Sequence, residues 1–364
     1  MTSALLAVGV TTGIFTLLSI WLLISERYLA NYGPVKVNIN DGSRVFERTG
    51  GITLLNALYQ NEVFIPSACG GKGSCGYCKV KVESGGGPVL PTETTVLTRG
   101  EARSGIRLAC QLKLKEDLKM RIDEQLLSVR LFRARVSKIA QLTHDIKEIN
   151  LELIEPEEIE QHPGQYIQIE APGPEGPVHR AYSISSPASE KHRVQLIVRL
   201  VPGGIASTYI HDLEEGDEVT FTGPYGDFRL SEDPSKDIVL VAGGCGMAPV
   251  KDIAYTTLER WPARDIYLFF GARTTKDIFY LDQYKELEKE YPNLHVIYAL
   301  SDPLDEEEEW EGETGFIHLS VDKHLKDREN GQAFLCGPPP MIDAVTEVLK
   351  EKGLDDADIF YDKF

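Results

Sequence analysis

The chain has 364 residues, enough for two or three domains. Its formal net charge of −18 argues against nucleic acid, whose affinity rests on Lys and Arg neutralising phosphates. Six cysteines fit a metal cluster plus two single thiols in a reducing compartment better than three disulfides, and the eight histidines are scattered with no H-x3-H pair.

Residues Ala4 to Ile24 are uncharged and mostly apolar. At about 1.5 Å per residue they would extend about 31 Å as a helix, enough to cross a bilayer core. A signal peptide and a buried helix are the competing readings. A signal peptide wants a basic start and a small-residue cleavage site, and nothing basic precedes Arg27. The expectation is a single-pass helix over residues 4–24. Arg27, Lys36, Arg44 and Arg48 follow it, which places the remainder on the cytoplasmic side of an inner membrane.

Val35 to Ile39 alternates as a strand, and Ser43 to Arg48 can pair with it across the Asp41-Gly42 turn. Ile52 to Tyr59 reads as a helix, Lys79 to Glu83 as a strand, and Ile106 to Cys110 leads into an alternating Leu112-x-Leu114 stretch. Between helix and strand lies a glycine-rich loop with Cys69, Cys75 and Cys78, answered by Cys110: C-x5-C-x2-C-x31-C. Plant-type [2Fe–2S] sites use C-x4-C-x2-C…C, one residue shorter in the first gap. A disulfide pair or a four-cysteine zinc site is the alternative, although a zinc ribbon wants two C-x2-C knuckles and only Cys75/Cys78 has that spacing. Residues 34–125 therefore read as a β-grasp ferredoxin domain with these four cysteines as iron ligands.

From Val129 the pattern becomes strands between Gly/Pro turns, as in an antiparallel barrel. Alternation puts Arg180 and Tyr182 on one face of a strand, a cation beside an aromatic plate. Pro202 to Thr208 then supplies small residues before a short helix, the arrangement an anionic phosphate needs. Residues 129–233 read as this barrel and residues 235–364 as a doubly wound α/β domain. In the latter, the strand Asp237–Ala242 runs into Gly243-Gly244-Cys245-Gly246-Met247-Ala248-Pro249, with Pro249 opening a helix. Strands follow at Asp265–Phe270 and His295–Ala299, with a helix at Leu281–Glu290 between them. Ala333 to Pro340 repeats the strand-to-turn logic. The acidic run Asp305 to Glu309 reads as a solvated loop.

With these residues in view, the chain resembles the F subunits of the Na+-translocating NADH:quinone reductases over nearly its whole length. That family joins one transmembrane helix, a [2Fe–2S] domain and a ferredoxin:NADP+ reductase-like FAD/NADH module. The motifs that carry the resemblance are the cysteine spacing, Arg180-x-Tyr182-Ser183, Gly203-Gly204-x-x-Ser207, Gly223-Pro-Tyr-Gly226-Asp-Phe228, Gly244-x-Gly246-x-x-Pro249, Cys336-Gly-Pro-Pro and the terminal aromatic Phe364. It implies that Tyr182 stacks on the isoalloxazine, that Ser183 bonds near flavin N5, and that Arg180, Gly204 and Ser207 hold the FAD pyrophosphate. Gly244 and Gly246 would let NADH approach, Cys336 would lie beside the nicotinamide, and Phe364 would cover the flavin. Arg199, Ala206, Pro249, Arg273 and Gly337 complete the expected cofactor-binding set, with Ser183, Cys336 and Phe364 as the catalytic group. The loop after Phe270 is the expected adenosine-ribose contact: Arg273 and Lys276 would suit a 2′-phosphate, while Asp277 would repel one.

The chemistry agrees with the resemblance. A hydride carries two electrons and the cluster takes one, so a flavin must stand between them. The expected function is a membrane-anchored NADH dehydrogenase subunit passing electrons from NADH through FAD and the cluster to a membrane acceptor. The helix and the ferredoxin domain would meet the partner subunits. The reductase component of an oxygenase is the rival of like chemistry, and a redox-inactive tethered scaffold the rival of another class.

Overall fold

The computed structural model describes residues 9–21, 32–67, 69–174, 176–226, 228, 230–302, 309–326 and 330–363. The chain divides into two compact units, Met1–Ser128 and Val129–Phe364.

In the first unit, residues 9–21 are helical (α1) and expose Ile14, Phe15, Leu17 and Trp21. The described part of this helix is about 20 Å long, short of the ~30 Å hydrocarbon core. Among the described residues no helix is long and apolar enough to cross a membrane. The rest of the expected 4–24 span lies outside the described residues.

The strands β1 (Pro34–Ile39) and β2 (Arg44–Thr49) form the expected hairpin, with Ile39 opposite Arg44. Val35, Val37 and Ile39 alternate inward. The helix α2 (Leu54–Tyr59) starts two residues later than its pattern, because Thr53 caps it by accepting from the Asn56 N–H at 3.3 Å. It buries Leu54, Ala57 and Leu58. Next come β3 (Lys79–Ser84), the short helix α3 (Arg99–Arg103) behind a Thr98/Glu101 capping box, β4 (Ile106–Leu108) and β5 (Leu118–Arg121). The sheet order is β2-β1-β5-β3-β4, with β5 parallel to β1. The Leu112-x-Leu114 stretch lies outside this sheet. Its main chain is used by the approach to α2: Leu54 N–H donates to Leu112 O at 2.7 Å, and Leu114 N–H to Ile52 O at 2.9 Å.

The second unit begins with six antiparallel strands: β6 (Arg130–Gln141), β7 (Ile146–Glu155), β8 (Tyr166–Ala171), β9 (Val178–Ser183), β10 (Arg193–Arg199) and β11 (Glu218–Tyr225). The helix α4 (Ile205–His211) precedes β11. Their order is β10-β7-β6-β11-β8-β9, and an Ile184–Leu196 bridge joins the two ends into a barrel. Phe132 and Phe221 stack at 5.1 Å in its core.

An all-parallel sheet follows, with strands β12 (Asp237–Gly243), β13 (Ile266–Ala272), β14 (Leu294–Leu300), β15 (Glu313–Thr314), β16 (Gly331–Gly337) and β17 (Ile359–Lys363). The helices are α5 (Met247–Arg260), α6 (Leu281–Glu290), α7 (Ile317–His324) and α8 (Pro339–Glu351). Alternate residues of β12 feed two cores: Ile238, Leu240 and Ala242 pack with α5, Val239 and Val241 with α7 and α8. The order β15-β14-β13-β12-β16-β17 reverses beside β12, so the crevice where open α/β sheets bind ligands falls between the ends of β12 and β16. Pro249 sits in the first turn of α5, which begins two residues earlier at Met247.

Candidate functional site

In the first unit the cysteine loop turns on Gly70, Gly71, Gly73 and Gly76, all with positive φ. All four cysteines are free, Cys78 and Cys110 buried and Cys69 and Cys75 half-buried. Their thiols form two hydrogen-bonded pairs, Cys69 with Cys75 and Cys78 with Cys110. All four thiols are near enough to act on one another electrostatically, and four free cysteines gathered by a glycine-rich loop are a donor set that fits [2Fe–2S]. Burial raises the Cys69 thiol, but hydrogen bonds from the main chains and side chains of Ser74 and Cys75 together outweigh it and bring it to about 6. The hydrogen bond from Cys78 leads in bringing Cys110 down to about 7, against its burial.

The fourth cysteine is set by a buried ion pair that the sequence does not announce. Glu93 and Arg107 meet at 2.7 Å, both almost fully buried. Glu93 also accepts from the Leu108 N–H at 2.9 Å, and Ala109 N–H donates to Cys78 O at 2.9 Å. The loop carrying Glu93, the strand before Cys110 and the end of the cysteine loop are thus one hydrogen-bonded piece.

In the second unit, β9 pairs Arg180 with Ile169 and Tyr182 with Ile167, so the two side chains share a face. Tyr182 is half-buried. Burial pushes its phenol up to about 12, with Arg180 opposing and Cys245 adding. Cys245, from the turn after β12, is therefore within electrostatic reach of Tyr182. Ser183 ends β9. Gly203 has φ +73°, and Gly204 caps α4 so closely that a Cβ there would stand 2.6 Å from Ser207 Oγ. Ser207 is buried and its hydroxyl accepts from the Val201 N–H at 3.1 Å, while Ala206 is buried beside it in the first turn of α4.

The turn after β12 gathers the remaining expected residues. Gly244 (φ +55°) lies against Arg199, whose Nε is 3.2 Å from Asp145 Oδ2. A Cβ on Gly246 would stand 2.1 Å from Cys336 O, and one on Gly337 2.6 Å from Met341 Cε. Cys336 is buried and faces Asp362 across the β16–β17 register, and burial, Asp362 and Cys245 all push its thiol up. Tyr182, Arg199, Gly244, Cys245, Gly246 and Cys336 thus belong to one place. Arg273 stands one strand over, exposed, its Nη2 3.1 Å from Asp302 Oδ2. Asp277 turns back to cap its own loop, accepting from Thr274 N–H at 3.0 Å and Thr274 Oγ1 at 2.9 Å. Asp302, not Asp277, is the carboxylate beside Arg273. Phe364 lies outside the described residues.

Sequence reasoning missed the links between barrel and parallel sheet. Lys251 Nζ is 3.3 Å from Glu148 Oε2 and 3.4 Å from Tyr280 OH, and lies 4.5 Å from the Tyr280 ring centroid. The fully buried Asp252 accepts from the Gly164 N–H at 2.8 Å and from Thr256 Oγ1 at 3.1 Å. The available signal was Lys251-Asp252 between Val250 and Ile253, two charges within the buried part of a helix whose other charges, Glu259 and Arg260, are exposed at its end.

Three families match in turn: a 2Fe-2S iron-sulfur cluster binding domain at residues 37–115, an oxidoreductase FAD-binding domain at 133–230, and an oxidoreductase NAD-binding domain at 240–347. The F subunit of the Na(+)-translocating NADH-quinone reductase of Neisseria meningitidis is 36% identical, covering 99% of both chains. The chain belongs to the family of these F subunits. The corresponding Klebsiella pneumoniae protein is 35% identical, again over 99% of each chain. Among solved structures, an Amycolatopsis cytochrome P450 reductase is 32% identical over 91% of this chain and 98% of its own, with a TM-score of 0.71. The ferredoxin reductase in carbazole 1,9a-dioxygenase is 26% identical over the same shares, with a TM-score of 0.68. As a member of that family the protein is an NADH oxidoreductase using FAD and a [2Fe–2S] cluster. The glycine cradle at Gly244 and Gly246, the Arg180–Tyr182 face and the paired thiols fit those groups.

Proposed function

We propose that this chain is the electron-input component of a membrane quinone reductase, taking hydride from NADH and delivering electrons to a partner in the membrane. The observation that carries this reading is the convergence of Tyr182 and Arg199 from the barrel with Gly244, Cys245, Gly246 and Cys336 from the parallel sheet. When bound, the flavin accepts the two electrons of a hydride and releases them singly to the iron–sulfur cluster.

The residues then take these roles. Tyr182 supplies the aromatic face for the flavin and Ser183 the hydroxyl near its reacting edge. Arg180, Gly204, Ala206 and Ser207 hold the pyrophosphate, and Arg199 backs the turn at Gly244. Gly244, Gly246, Pro249 and Gly337 leave room for the nicotinamide beside Cys336, and Arg273 faces the adenosine ribose. Phe364 covers the flavin until nicotinamide arrives. Cys69, Cys75, Cys78 and Cys110 ligate the irons. The functional divisions are residues 34–125, 129–233 and 235–364.

Residues 4–24 anchor the protein in the inner membrane, with the remaining domains on the cytoplasmic side. The exposed apolar side chains of residues 9–21 support this assignment, since water would penalise them. The likeness to oxygenase reductases favours a second reading, a reductase for an oxygenase partner. It covers 91% of this chain against 99% for the quinone-reductase F subunits, so the quinone-reductase reading leads.

Anaerobic NADH added to detergent-solubilised membranes tests the proposal. Flavin absorbance should bleach, the EPR signal of a reduced [2Fe–2S] cluster should rise, and the other quinone-reductase polypeptides should co-purify. Co-purification with an oxygenase would replace this reading with the second. Flavin that NADH cannot bleach would end both.

A further inference from the structure

The side chain after the fourth cysteine has two jobs in the loop. The Gln111 carboxamide nitrogen carries two hydrogens, and the structure gives it two acceptors: Gly71 O at 3.2 Å and Cys110 Sγ at 3.6 Å. Gly71 lies two residues after Cys69, so one amide ties the last cysteine to the loop holding the first. The space for this amide is kept open by Gly73, where a Cβ would stand 2.8 Å from Gln111 Nε2 and 2.9 Å from its Cδ. Gly73 has φ +76°, so its left-handed turn and its missing side chain serve the same contact.

We propose that Gln111 is a positioning residue of the iron–sulfur centre: its N–H donates to the Cys110 sulfur and raises the reduction potential of the cluster. The inference rests on the four cysteines holding a [2Fe–2S] cluster. One-electron reduction adds negative charge to the cluster and its sulfur ligands. An N–H aimed at a ligand sulfur stabilises that reduced state more than the oxidised one. The electron comes from NADH through the flavin, and Gln111 keeps both its protons.

The test is an EPR-monitored redox titration of the full-length holoprotein carrying Gln111→Met, which keeps the length of the side chain and removes the donor. The cluster midpoint should move to more negative potential while the flavin midpoint stays in place. Gln111→Glu should lower the cluster midpoint further at neutral pH. A cluster midpoint unchanged in Gln111→Met, with the cluster retained, overturns the proposal. Should that variant lose its cluster, pulsed EPR of the reduced wild-type protein labelled with amide-15N glutamine decides. Hyperfine coupling to the label is expected, and its absence overturns the proposal.

Discussion

Gly246 lies so close to Cys336 that a Cβ on the glycine would stand 2.1 Å from the cysteine's carbonyl oxygen and 2.6 Å from its carbonyl carbon. The obstacle is main chain on the neighbouring strand, so it cannot rotate away. Gly246→Ala must push the turn after β12 from the end of β16, widening the crevice that both line. The expected result is a loss of about tenfold or more in kcat/KM for NADH, about 1.4 kcal/mol of transition-state binding, with flavin content retained. At Gly244 the nearest atoms belong to the flexible Arg199 guanidinium, so Gly244→Ala should cost less despite its positive φ. Stopped-flow flavin reduction measures both, and the reverse ranking would refute this packing argument.

The pairing of Arg273 with Asp302 bears on nucleotide choice. A 2′-phosphate at this loop would meet a carboxylate already beside the guanidinium meant to bind it. NADH should therefore be preferred over NADPH. Asp302→Ala releases Arg273 and should improve the NADPH/NADH ratio of kcat/KM by roughly tenfold, the scale of one charged contact. An unchanged ratio would show that the phosphate is refused elsewhere.

Asp252 predicts a pH dependence of stability. Burial raises its carboxyl to about 8 from 3.8, while the bonds from Gly164 and Thr256 pull the other way. The folded protein holds this proton more tightly than the unfolded chain. The contribution is thus fully present below pH 3.8 and is lost as pH rises through about 8. Asp252→Asn, which cannot ionise, should flatten the fall in melting temperature over that window. Parallel thermal melts of the two proteins from about pH 5 to about 9 check this, and identical slopes would contradict it.

How far the sequence revealed this arrangement depended on whether the signal was local. The β1–β2 hairpin, the cysteine spacing and the Gly244–Pro249 turn are each encoded in the order of nearby residues, and each stands where the pattern put it. Leu112 and Leu114 alternate like a strand, but their main chain is taken by residues 52–54, which lie far away in sequence. The carboxylate beside Arg273 is hidden from a linear reading for a like reason. Asp277 is adjacent in sequence but is spent on a cap, whereas Asp302 arrives from the next strand of the sheet. The buried groups Glu93, Arg107, Lys251 and Asp252 look like surface charges in a linear reading. Only the fold shows what each is buried against.

The central claim is a serial path from NADH through FAD and the [2Fe–2S] cluster to the membrane acceptor. Replacing Cys78 with Ala removes a buried thiol from one of the two pairs proposed to hold iron, while the proposed flavin residues Arg180, Tyr182 and Ser207 belong to the other unit of the chain. Electron delivery should be measured on the same membranes with two acceptors, ferricyanide, which takes electrons from flavin, and the native quinone. The Cys78→Ala protein should reduce ferricyanide at a substantial fraction of the wild-type rate while quinone reduction collapses. Quinone reduction at the full rate in protein shown by EPR to lack the cluster would contradict the serial path.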